Sequence, residues 1–125
     1  MAERCMAAAA LACLALLVSG ADALEARLPG GLPLGNAVSA AALVLAAWAA
    51  LRLAAKGSRL RGIALCALVL SALWLPASIL LAGNLELNFA GRAGRAWTVL
   101  TAIATLAAFG SLAAAAASRW KARSP

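Results

Sequence analysis

The side chains that could support acid–base, nucleophilic or metal chemistry are few in this chain. It has 125 residues, with no histidine, three cysteines and four acidic residues. Without histidine a Ser–His nucleophile pair cannot form, and transition metals lose their commonest protein ligand. Cys5, Cys13 and Cys66 lie in apolar surroundings without C-x-x-C spacing, so we interpret them as unpaired thiols that pack as small hydrophobic groups. We therefore predict no catalytic residue, no metal site and no cofactor.

Two carboxylates remain as candidates for chemistry, Glu25 and Glu86, each in a hydrophilic segment that also contains arginine. An enzyme that acts on lipid at the membrane face would need one of them held in a dry pocket, where its pKa could be tuned. The favoured interpretation is that both are loop charges that pair with Arg27, Arg92 or Arg95. The lipid-acting enzyme stays as an alternative.

The segments that would have to position these residues are long and apolar. Hydrophobic residues make up 66% of the chain and charged residues 12%, against about 25% charged residues in a typical soluble domain. Runs of about 18 or more apolar residues are long enough to cross the hydrocarbon core of a bilayer. The fold class predicted is all-α, a single integral membrane four-helix bundle with up-down connectivity. The predicted helices span approximately residues 5–21, 34–53, 62–83 and 96–118.

The first and second runs each carry a local signal at one end. Arg4, the apolar run and the small-x-small pattern at Ala21-Asp22-Ala23 also fit a signal peptide cleaved after residue 23, which is the alternative to a retained helix. Asn36 is predicted to cap the start of the second helix, because its side chain can accept a hydrogen bond from a free backbone N–H.

Basic residues are distributed unevenly among the hydrophilic segments. Alternating the loops between two sides puts eight Lys and Arg residues with the two termini and the middle loop, and three on the other side. Short cytoplasmic loops are enriched in Lys and Arg. We therefore predict a multi-pass protein of the bacterial inner membrane, with both termini and the middle loop in the cytoplasm. If residues 1–23 are removed as a signal peptide, the new N-terminus lies outside and every later segment keeps its orientation.

The middle loop is the most basic segment of the chain. Its four basic residues are candidates for contacts with anionic lipid headgroups, although the favoured interpretation is that they act only as the orientation signal. The basic stretches are short and lack interleaved aromatic residues, so no nucleic-acid partner is expected. The candidate headgroup contacts are Arg52, Lys56, Arg59 and Arg61.

Aromatic residues and a proline mark the third and fourth runs. Trp97 and Trp120 bracket the fourth run and would lie about 35 Å apart along a helix, a spacing typical of anchors at two membrane interfaces. Pro76 removes the hydrogen bond to the carbonyl of Ala72 and predicts a kink. The favoured interpretation is a static packing bend, because proline is frequent in membrane helices. A hinge, or a widened space beside Trp74, is the alternative.

Thr98, Thr101 and Thr105 share one face of the fourth helix, since they are spaced at i, i+3 and i+7. They form a candidate polar stripe for helix packing or ligand binding, unless the hydroxyls bond to their own backbone. A shift of 61 residues aligns Leu24-Glu25 with Leu85-Glu86, which suggests a duplicated hairpin as a minor alternative.

The function favoured is a non-enzymatic accessory or structural subunit. Alanine, glycine and serine are abundant in every run, and small residues let helices pack closely in lipid. The expected partners are the lipid bilayer and other membrane protein subunits, or further copies of the chain. A small oligomeric channel or transporter around the third helix is the alternative, although the runs lack the buried ionisable residues that mark proton-coupled transport.

Overall fold

The computed structural model describes residues 1–124. This part of the chain contains four long helices. Each helix is long and apolar enough to cross a membrane, so the prediction of an all-α fold with four such helices is confirmed. A short 3-10 helix, Asp22–Glu25, lies in the segment between the first two. The helices are α1 (Ala2–Ser19), α2 (Leu34–Leu53), α3 (Arg59–Ala82) and α4 (Arg92–Lys121).

Local backbone chemistry determines where α1 and α3 end. Gly20 and Gly83 follow these helices with φ of 63° and 69°, a left-handed conformation that glycine adopts without steric cost. At the start of α3, the Ser58 hydroxyl accepts a hydrogen bond of 3.2 Å from the backbone N–H of Arg61. Ser58 therefore acts as the N-cap of α3.

The predicted N-cap role of Asn36 is wrong. The second helix already begins at Leu34, after Pro33, and no side chain caps it. The Asn36 amide instead donates a hydrogen bond of 3.0 Å to the carbonyl oxygen of Leu85, in the segment that follows α3. The Asn36 side chain therefore makes a tertiary hydrogen bond instead of the helix cap that the local sequence predicted.

The fourth helix extends beyond the apolar run at both of its ends, and α3 begins earlier than its run. Arg59 and Arg92 are the first residues of these helices, and Lys121 is the last residue of α4. Arginine and lysine favour helical backbone almost as strongly as leucine, and their long aliphatic stems let the charge reach the interface. Hydropathy therefore indicates how much of a helix can lie in hydrocarbon, but it does not indicate where the helix begins and ends.

The second helix is the centre of the packing. It contacts α1, α3 and α4, while α3 and α4 also contact each other. The first helix packs mainly against α2, and its buried residue is Ala10. The arrangement is a three-helix core of α2, α3 and α4 with α1 attached to the side of α2.

Small side chains occupy the contacts between helices, and large ones lie outside. Of the fifteen hydrophobic residues buried within residues 1–124, twelve are alanines. Alanine at the interface allows close backbone approach, which drives helix association in lipid, where burying large apolar groups brings no gain. Leucine, isoleucine and valine are more than half exposed at Leu11, Ile63, Val69, Leu80 and Leu106. This distribution is typical of a membrane bundle.

Candidate functional site

A set of side-chain hydrogen bonds joins α3 to α4 at the indole rings of two tryptophans. Trp74 Nε1 donates to Thr101 Oγ1 at 2.9 Å, and Trp97 Nε1 donates to Ser78 Oγ at 3.0 Å. The Ser78 hydroxyl in turn donates to the carbonyl oxygen of Trp74 at 2.6 Å. Both indole N–H groups are thus paired inside the protein, as an N–H away from water requires.

The same two tryptophans form an aromatic cluster with Phe89. The ring centroids of Trp74 and Trp97 lie 6.4 Å apart with the planes inclined at 46°. The Phe89 ring stacks on Trp97 at 5.0 Å with an angle of 29° between the planes. Tilted and offset rings at these distances attract each other beyond the effect of buried area. The cluster therefore fixes the α3–α4 pair at one end.

A cavity of about 400 Å³ lies beside this cluster, and residues from all four helices line it. We call it the indole cavity. Among the described residues that line it, none is charged, and its wall combines aromatic rings with hydroxyl groups. A pocket of this volume and lining suits a small uncharged molecule with one or two polar groups. Its wall includes Trp74, Trp97, Phe109, Thr101, Thr105 and Ser39.

The predicted threonine stripe divides into three different environments. Thr98 is exposed, and its hydroxyl donates back to the carbonyl of Gly94 at 2.9 Å. Thr101 accepts from Trp74 and so connects two helices. Thr105 is half-buried and lines the indole cavity. The stripe thus contains one helix–helix contact, one local bond and one residue in the wall of the cavity.

The two tryptophans proposed as interfacial anchors also differ. Trp120 is 77% exposed near the end of α4, where its ring is free to contact lipid. Trp97 is half-buried, and its N–H is occupied by Ser78. Anchoring at the interface stays a prediction for both residues, and the geometry favours it for Trp120.

Pro76 lies on the exposed side of α3, opposite the buried face that contains Trp74. The helix continues through it without interruption from Arg59 to Ala82. Trp74 is 2% exposed and lines the indole cavity. The hinge, the widened space caused by Pro76 and the static bend all stay predictions.

Basic residues from three helices and one loop meet at the end of the bundle farthest from the aromatic cluster along α4. A polar pocket of about 420 Å³ lies among them, which we call the basic pocket. Two of its arginines also satisfy the last carbonyl groups of α2, because Arg61 Nη1 donates to Leu51 at 2.9 Å and Arg119 Nε donates to Leu53 at 2.8 Å. Its charged residues are Arg52, Lys56, Arg61, Arg119 and Glu3.

This grouping differs from the sequence prediction in two respects. Arg59, one of the four candidate headgroup contacts, lies outside the lining of the basic pocket, whereas Arg119 and Glu3 belong to it. In the sequence, Arg119 belongs to the basic segment at residues 119–123, which is predicted to lie on the same side of the membrane as the middle loop. The count of basic residues on each side indicates which segments share a side of the membrane, but it carries no information on which side chains converge.

Glu86 is held by charge pairing in the segment between α3 and α4. It forms an ion pair with Arg27, from the segment between α1 and α2, and accepts a hydrogen bond of 3.0 Å from Asn88. Both members of the ion pair are exposed. The contact joins the two hydrophilic segments and has the character of a solvated loop ion pair.

No family model, no curated protein and no solved structure matches this chain.

Proposed function

We propose that this chain is a multi-pass membrane protein with up-down connectivity, and that its termini and middle loop lie in the cytoplasm. Eight basic residues on that side against three on the other support this orientation. The basic pocket agrees with it, because residues from the start of α1, the end of α2, the start of α3 and the end of α4 line it together. The Arg27–Glu86 ion pair joins the two remaining segments at the other side.

Reporter fusions test this orientation. We expect green fluorescent protein to fluoresce when fused after the C-terminus, because it folds in the bacterial cytoplasm. Alkaline phosphatase, which is active only outside, should be active when inserted near Glu86 and inactive at the C-terminus. The reverse pattern of the two activities would overturn the orientation.

The function that we propose is that of a non-enzymatic accessory or structural subunit, which packs against a larger membrane complex or against a second copy. One exposed face of α4 supports it. The first half of that face presents three bulky residues, since Val99, Ile103 and Leu106 are 58%, 53% and 74% exposed. In the second half, the same face consists of Gly110, Ala113, Ala114 and Ala117, all exposed. We call these four residues the glycine–alanine face.

The change from bulky to small residues at Gly110 has a physical meaning in a membrane. Within the bundle, helices meet through alanine, and large apolar side chains lie on the exposed surface. The glycine–alanine face has the composition of a buried contact, although it lies on the outside. Residues spaced at i, i+3, i+4 and i+7 form one continuous surface, and a second helix can approach such a surface closely.

A single substitution on this face tests the proposal. We expect Gly110→Leu to weaken self-association, or the recovery of a co-purifying membrane partner, by about tenfold or more, because a leucine side chain holds the two backbones apart. The measurement is the amount of partner retained after purification of the intact chain in mild detergent, together with single-molecule photobleaching in liposomes.

Ala102→Leu is the matched control, since Ala102 is exposed on α4 among the bulky residues. This variant should retain the partner or the oligomer. If wild-type protein is strictly monomeric and carries no partner, or if both leucine variants behave alike, the subunit proposal is wrong.

The channel alternative would have to place its pore between copies of the chain. Ala46, Ala47 and Ala50 of α2 are completely buried, so the space between α2 and its neighbours is filled with side chains at that level. The indole cavity and Pro76 are the features that such a pore could use. A liposome flux assay that compares wild type with Pro76→Ala distinguishes this alternative, and solute flux that depends on the chain would favour it.

A further inference from the structure

An apolar groove opens beside the basic pocket, between α1 and α4. The two helices both pack on α2 but make little direct contact with each other. The groove has a volume of about 390 Å³, and Glu3 and Arg119 line both the groove and the basic pocket. The two spaces are therefore adjacent and share part of their walls. The apolar residues of the groove include Ala7, Ala8, Leu11, Leu53, Ala116 and Trp120.

We propose that the basic pocket and the apolar groove together bind one anionic phospholipid. Its phosphate occupies the basic pocket, and one acyl chain lies in the groove between α1 and α4. This is a specific site on the chain, and it is independent of the subunit contact proposed for the glycine–alanine face. It also differs from general attraction between the middle loop and the membrane surface, because it selects particular basic residues from separate helices.

The charge of the basic pocket suits a phosphate group. Arg52, Lys56, Arg61 and Arg119 line it, and the acidic residue among them is Glu3. Four basic side chains against one carboxylate leave this lining with an excess of positive charge. Hydrogen bonds from ionised donors to phosphate oxygens are about twice as strong as those between neutral groups.

Two of the guanidinium groups are held in position before a ligand binds. Arg61 uses Nη1 for the carbonyl of Leu51, and Arg119 uses Nε for the carbonyl of Leu53. A guanidinium group has five N–H donors, so each arginine keeps further donors for phosphate oxygens. Because these bonds already restrict the side chains, less conformational freedom is lost when a ligand binds.

The adjoining groove favours a lipid over a soluble phosphate compound. A phosphate ester without an acyl chain would leave the groove beside Leu11 and Trp120 unused. Arg4 and Arg123 also line the groove, at the same end of the helices as the basic pocket, where headgroups are found. In a bilayer, the inner part of the groove at Leu11 faces hydrocarbon. Charge at one end and apolar surface along the helices match the two parts of a phospholipid molecule.

The test is lipid retention by the full-length chain, measured by native mass spectrometry from detergent. Phosphatidylglycerol and phosphatidylcholine with identical acyl chains are the probes. We expect about tenfold or greater preference for phosphatidylglycerol. The double variant Arg52→Gln/Lys56→Gln should lose about 30-fold in affinity for that lipid. These two residues are exposed, and they are preferred to Arg61 and Arg119 because the latter also bond to α2.

Arg59→Gln/Lys121→Gln is the matched control. It removes one arginine and one lysine from the same end of the molecule, and both residues lie outside the basic pocket and the apolar groove. Its affinity for phosphatidylglycerol should fall less than about threefold. Equal losses in the two double variants would overturn the site, because general surface charge would then account for the binding.

Two further measurements complete the test. Glu3→Gln should increase the retention of phosphatidylglycerol, since it removes a negative charge from the pocket; a decrease would contradict the proposed position of the phosphate. Glycerol 3-phosphate carries a phosphate group without acyl chains and should not displace the lipid at equal concentration. Displacement at equal concentration would identify a soluble phosphate compound as the ligand and would overturn the lipid site.

Discussion

Replacement of Ala46 by leucine should destabilise the bundle by about 3 kcal/mol or more. Ala46 is completely buried on α2, and α2 is the helix that contacts α1, α3 and α4. A leucine side chain at this position requires a neighbouring helix to move outward, which separates other alanine contacts along the same interface. We expect lower yield of folded protein and a lower midpoint of thermal unfolding, measured in detergent by far-ultraviolet circular dichroism.

Ala41→Leu is the control for this prediction. Ala41 lies on the exposed side of α2, so the same change in volume meets lipid or detergent there and should alter stability by less than about 0.5 kcal/mol. A fully stable Ala46→Leu protein would show that α2 is not packed closely at its centre. The arrangement of the three-helix core would then be wrong.

Replacement of Trp74 by alanine should destabilise the bundle by a comparable amount, about 3–5 kcal/mol. Trp74 is 2% exposed, lies against Trp97 and donates a hydrogen bond to Thr101. Its removal enlarges the indole cavity, takes away the contact between the two indole rings and leaves Thr101 without its α3 partner. The midpoint of thermal unfolding by circular dichroism is again the measurement.

Trp74→Phe separates ring packing from hydrogen bonding in this loss, and Ser71→Ala tests the buried hydroxyl one turn earlier. Trp74→Phe keeps a large ring but removes the N–H, so it should cost about 0.6–1.7 kcal/mol, the range for hydrogen bonds between membrane helices. Ser71→Ala, one turn earlier on the same buried face, should be neutral or stabilise the protein by about 1 kcal/mol. The Ser71 hydroxyl is buried and has no hydrogen-bond partner within residues 1–124. If Trp74→Ala cost no more than Trp74→Phe, ring packing would not be the main contribution.

The helices were predictable because each depends on its own stretch of sequence. A run of apolar residues crosses hydrocarbon only as a helix, since the backbone has to satisfy its hydrogen bonds internally. The second run matches α2, Leu34–Leu53, while α4 extends further to Arg92 and Lys121. Hydropathy indicates the part of a helix that lies in the hydrocarbon layer. The charged residues at its ends are also helical, so the helix extends beyond the apolar run.

The positions of functional side chains were less predictable. Trp97 looked like an interfacial anchor because of its place at the start of the fourth run, yet its N–H bonds to Ser78 on α3. Arg119 counted as a tail residue, yet it bonds to Leu53 at the end of α2. Both contacts depend on how one helix is rotated against another. No local pattern in the sequence specifies that rotation when every helix is apolar on all sides.

The scarcity of reactive side chains, the four apolar runs and the uneven basic charge are properties of the sequence by itself, since each follows from residue type and position along the chain. Only the tertiary structure decided which of those residues meet. It brought Arg119 to the middle loop, left an apolar groove between α1 and α4, and exposed the glycine–alanine face. The physical reason is that contacts between membrane helices depend on the close fit of small side chains, which is a property of pairs of surfaces in space.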